Sequence, residues 1–79
     1  MKLYGYTEKS LETQESPEAL TEVTFVVNPE ELRKIANFFN KKAKEIEELG
    51  TDFGHEHLAD KEDGFDNCPQ LIIYNDADL

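Results

Sequence analysis

Cysteine, glycine, proline and basic residues are all scarce in this 79-residue chain, and each shortage excludes something. The lone Cys68 cannot form an internal disulfide, which removes the small secreted scaffolds stapled by bridges and fits a reducing cytosol. No run approaches the roughly 18–20 apolar residues of a membrane span. The opening MKLYGY lacks the apolar centre of a signal peptide, so the expected location is the cytoplasm. A glycine-rich phosphate loop, a serine elbow and a basic–aromatic strip for nucleic acid are all missing. Residues 1–79 are expected to form one domain with no room for a second core. A chain this short buries only about 60% of the surface it exposes when unfolded, so its stability should be modest.

The shortage of bases has the largest consequence. Eighteen acids face eight bases, for a net charge of −10. Residues 29–49 are neutral, with five bases (Arg33, Lys34, Lys41, Lys42, Lys44) against five acids (Glu30, Glu31, Glu45, Glu47, Glu48). The remaining residues hold thirteen acids and only Lys2, Lys9 and Lys61, so the whole −10 lies outside that segment. Such a surface repels nucleic acid and anionic lipid and steers a basic protein toward it. The plainer reading is that the charge only maintains solubility.

That neutral segment is also where secondary structure is most clearly written. Asn28 can cap a helix, with Pro29 in the first position and Glu31 in the third completing a capping box. Val27 and Leu32 are spaced for a hydrophobic staple. Leu32, Ile35, Ala36, Phe39, Ala43, Ile46 and Leu49 recur at the spacing of one apolar stripe, and Gly50 is placed to end the helix.

Around this helix the pattern predicts strands. Residues 1–7 alternate, with Gly5 on the inner side, where it would let the helix approach closely. Residues 8–17 are polar and read as a long, mobile connection. Residues 20–27 (LTEVTFVV) alternate Val23, Phe25 and Val27 against Glu22, Thr24 and Val26, an apolar face for the helix to cover. A third strand is expected at 53–58, an acidic loop at 59–69, a strong strand at 71–75 and a frayed tail at 76–79. The predicted fold is α+β, ββαββ: one antiparallel sheet of three to four strands in the order 2-1-3-4, with one long helix on one face. The open face would present Tyr4, Tyr6, Glu22, Thr24 and Glu56. Tyrosines among carboxylates suit a partner-binding surface, because tyrosine offers large contact area at low entropic cost. The acidic loop adds Asp60, Glu62 and Asp63.

Reactive constellations are few. His55 and His57 would share one face of a strand and are the only candidate metal pair, with Asp52, Asp60 or Asp63 as a carboxylate donor, but spacing specifies no third ligand. The alternative is packing or hydrogen bonding at the sheet edge. An EF-hand fails: counting from Asp60, Gly64 falls at the fifth position and Leu71 at the twelfth. Nothing among the eighteen acids selects a catalytic pair. Cys68 has no basic neighbour to activate it. No cofactor is expected, and the residues describe a non-enzymatic binding domain.

The segments MKLYGY, LTEVTF, NPEELRKIANFF, HEHLAD and LIIYN, in that order, resemble the bacterial immunity protein 32 family of polymorphic toxin systems. The resemblance covers most of the chain, apart from residues 8–17 and the acidic stretch before Pro69. It implies a non-enzymatic protein that binds and blocks a cognate toxin in the cytoplasm. A toxin that is a basic nuclease would match the acidic surface. An acidic protein-binding regulator or nucleic-acid mimic outside a toxin system would carry the same charge pattern.

Overall fold

The computed structural model describes residues 1–13 and 16–78 and is α+β, with one long helix and two separate two-stranded antiparallel sheets. Gln14 and Glu15, within the expected connection, and Leu79, at the end of the expected tail, lie outside the described residues. The first sheet pairs β1 (Leu3–Gly5) with β2 (Glu18–Leu20). Between them stands α1 (Glu8–Thr13), where the polarity of the segment predicted a loop. Its start is held by reciprocal capping: the Thr7 amide donates to Ser10 Oγ at 2.7 Å, and the Ser10 amide donates to Thr7 Oγ1 at 2.9 Å. The hydroxyl spacing Thr7-x-x-Ser10 was the signal available in the sequence.

The strand expected at 20–27 is corrected to Glu18–Leu20. In the observed register Leu3 lies opposite Leu20, so residues from 23 on run past the span of β1 and have no strand opposite them. Residues 22–28 continue without regular structure, leaving Val23, Phe25 and Val26 exposed. Gly5 also serves a different neighbour from the one expected. A Cβ there would lie 3.0 Å from Leu20 Cδ1, so the missing side chain makes room for a residue across the hairpin and not for the helix.

The long helix, α2 (Pro29–Leu49), forms with the predicted bounds. Asn28 Oδ1 accepts from the Glu31 amide at 2.8 Å and Glu31 Oε1 accepts from the Asn28 amide at 3.1 Å, a complete capping box. Gly50 closes the helix at φ 54°, a backbone angle that favours glycine, although its ψ of −127° lies outside the left-handed helical basin. The buried face differs from the expected stripe. Ile35, Phe38 and Lys42 are buried, whereas Leu32, Phe39 and Leu49 are substantially exposed.

After the helix, a 3-10 turn (Gly50–Phe53) leads into β3 (His55–His57), shorter than the predicted 53–58, and directly into α3 (Leu58–Lys61). The expected acidic loop therefore begins as a helical turn. It also contributes Phe65 to the core, which joins Ile35, Phe38 and Leu58, with Val27, Ala59, Cys68, Leu71 and Ile73 packed around them. β4 (Ile72–Tyr74) pairs with β3, His55 opposite Tyr74 and His57 opposite Ile72. The tail turns once more as a 3-10 helix (Asp76–Asp78) packed on the Gly50–Phe53 turn, so these residues are not frayed.

Of the predicted neighbours, strands 2-1 and 3-4 are adjacent, but the 1-3 pairing that would fuse them into one sheet does not form. The gap between the two sheets remains open. A radius of gyration of 13.4 Å reflects this, since a compact chain of this length would have roughly 11.6 Å.

Candidate functional site

The gap is an open cleft of about 2410 Å³. One wall is β1 and residues 23–27, and the other is α2, through Ile35, Phe39 and Ile46, together with residues 67–76. Val23 is 49% exposed, Phe25 45% and Phe39 38%, so apolar groups on both walls face water rather than each other. The volume is well above the roughly 300–1,000 Å³ of small-molecule pockets. A polypeptide fits this space better than a metabolite does.

The predicted binding residues divide between two places. Tyr4, Tyr6 and Thr24 line the cleft, and Glu22 precedes its lining residues 23–27 in the chain. Tyr4 and Tyr6 are exposed at its edge. Three acids, Glu8, Glu31 and Asp76, also line it, against Lys2 as the single base among the described lining residues. The lining thus combines apolar groups with a small excess of acids.

The second group, Glu56, Asp60, Glu62 and Asp63, lies on β3, α3 and the following turn, and here the structure redirects the charge argument. Glu62 faces Lys41 of α2 at 3.8 Å, and Glu56 faces Lys61 at 3.6 Å. The Asp63 carbonyl accepts from Lys34 Nζ at 3.3 Å. Gly64 turns the chain here at φ 93°, and a Cβ at that position would meet the same Nζ at 3.7 Å, an ordinary contact. Part of the acidic loop thus clips onto the basic side of the helix. Exposed ion pairs of this kind contribute about 0–1 kcal/mol each. Among the described residues no ion pair engages the carboxylates of Asp60 or Asp63.

The register places Glu56 opposite Ile73, which packs on the core, so Glu56 does not share the outward face with the histidines. That outward face carries His55, His57, Ile72 and Tyr74. The rings of His55 and Tyr74 stack at 4.8 Å and 18°, the two imidazoles lie 5.4 Å apart, and His57 Nδ1 is 3.0 Å from Gln70 Oε1. Among the described residues no group of three or more His, Cys, Asp or Glu side chains is placed to hold a metal ion. Cys68 is half-buried against the core, with its amide donating to the Phe65 carbonyl at 3.2 Å.

Sequence reasoning missed Val23, Phe25 and Phe39 as surface residues, because it assigned all three to the core. Val26 carried a usable signal. It stands on the predicted polar face of its strand, and in the structure it is 93% exposed. Among the described residues no helix is long and apolar enough to cross a membrane. Comparison with protein families, characterised proteins and solved structures finds no match to this chain.

Proposed function

We propose that this protein acts without catalysis, by binding another protein, and that its partner is a basic toxin which it blocks in the cytoplasm of the producing bacterium. The observation that carries this reading is the pairing of an open, apolar, polypeptide-sized cleft with a net charge of −10 concentrated outside the long helix. Exposed valine and phenylalanine side chains supply the contact energy of an interface, and the two tyrosines at the edge supply its rim. The carboxylates steer a basic partner and raise its association rate, an effect that weakens with salt. A basic nuclease fits this description because its nucleic-acid cleft is itself a surface that recognises negative charge. Tyr4, Tyr6, Glu22 and Thr24 are the contacts closest to the cleft; Asp60 and Asp63 form a second acidic approach, and Glu56 and Glu62 contribute after release from their lysines. The resemblance of the quoted segments to immunity proteins implies the same role.

The test is protection. Any toxin domain encoded beside this gene is expressed in a laboratory bacterium with and without this chain. Survival only in its presence, with a stoichiometric complex that dissociates at high salt, is the expected result. Continued killing despite soluble expression of this chain removes the toxin reading.

A further inference from the structure

The cleft has a backbone property as well as an apolar one. β4 is paired with β3 on one side only, and its other edge is open among the described residues. Residues 22–27, on the opposite wall, carry no regular structure, and among the described residues they take part in no strand pairing or backbone turn bond. Two stretches with N–H and C=O groups unpaired among the described residues therefore border one cleft, together with Val23, Phe25, Ile72 and Tyr74. Backbone groups of this kind are strong, obligatory hydrogen-bonding groups, and an open edge is a template for another strand. From this we infer that the cleft is a strand-acceptor site: it takes an extended, apolar segment of a basic partner, which adds to the edge of β4 and is covered by residues 22–27.

The charge selects the occupant. Glu8, Glu31 and Asp76 line the cleft against Lys2, and Glu22 precedes its lining residues 23–27 in the chain. A strand that carries apolar side chains on one face and lysine or arginine on the other meets both the walls and the rim. A second copy of this chain brings another −10 and is repelled. Its own arm is no better matched, because residues 20–27 hold one acid and no base. The inference rests on the protein-binding reading above and adds the mode of recognition and the kind of segment recognised.

The probe is a short synthetic peptide alternating valine and lysine, added to the full chain while amide hydrogen exchange is followed residue by residue. Expected are protection of amides in residues 23–27 and 72–74 on binding, and affinity at least about tenfold above that of a valine–glutamate peptide of equal length. Methylation of alternate peptide nitrogens should abolish binding, because it removes the donors while keeping the side chains. Phe25→Glu, at an exposed position, should weaken binding without unfolding the protein; Tyr74→Ala is a second variant on the other wall. Equal binding of both peptides overturns the inference. So does protection of the same amides in the free monomer, which would mean that the chain closes its own cleft. A dimer in sedimentation that the peptide does not dissociate assigns the cleft to a second copy, and also overturns it. The two readings fail separately: toxin protection that survives Phe25→Glu and Tyr74→Ala sinks the strand-acceptor site alone, and peptide binding without toxin protection sinks the toxin reading alone.

Discussion

The Asn75 side chain ties the end of the last strand to the end of the long helix, with its Nδ2 donating to the Gly50 carbonyl at 2.8 Å. Its Oδ1 accepts from the Ala77 amide at 3.3 Å, so one buried amide serves the helix terminus and the tail together. This arrangement accounts for the 3-10 turn at residues 76–78, which the two aspartates of that stretch do not announce.

Asn75→Ala should therefore cost about 0.5–1.5 kcal/mol in urea denaturation, the net value of a hydrogen bond of this type. Hydrogen exchange should accelerate first at residues 76–78, while the interior of α2 stays protected. Unchanged exchange in the tail would show that the clamp is dispensable.

Adjacent phenylalanines on α2 give a sharp contrast. Phe38 is fully buried and Phe39 is 38% exposed on the cleft. Phe38→Ala should cost about 3–5 kcal/mol, whereas Phe39→Ala should stay within about 1 kcal/mol. Equilibrium denaturation of the two variants checks which face of the helix holds the core. Equal losses would mean that the cleft is closed in solution.

Lys42 is buried, with its ammonium 2.8 and 3.0 Å from the Glu45 carboxylate oxygens and 5.5 Å from the centroid of the Phe38 ring. Desolvation offsets much of this attraction. Glu45 stays 39% exposed and can be solvated when its partner is gone. Lys42→Met should thus change stability by no more than about 1 kcal/mol. Lys42→Ala, which loses the aliphatic stem over Phe38, should cost clearly more. A large loss in the methionine variant would assign the ion pair a structural role that packing alone does not supply.

The last turn of α2 contains no base, and Glu47 and Glu48 stand near its negative end. Glu48→Lys should stabilise by about 0.3–1 kcal/mol at low ionic strength, because a cation there complements the helix dipole. Most of that gain should disappear in high salt. Thermal melts at two salt concentrations measure both parts.

Local chemistry alone determined the long helix: Asn28, Pro29, Glu31 and Gly50 act within one or two turns of themselves, so their effect is readable without knowing what surrounds them. The antiparallel pairing of strand 1 with strand 2, and of 3 with 4, followed from connectivity, but alternation misplaced strand 2, since of residues 20–27 only Leu20 lies in β2. The tyrosines and carboxylates of the candidate site were legible as residue types. Which face of α2 is covered was not legible. The helix carries apolar groups around more than one stripe, and only the packing of Leu58 and Phe65 against Ile35 and Phe38 selects the buried one. The extent of β2 was decided by register, because a strand pairs only as far as its partner reaches, and β1 places Leu3 opposite Leu20. The tertiary structure likewise decided that the two sheets stand apart, leaving an apolar cleft with a small excess of acids where the pattern of the chain predicted a closed core.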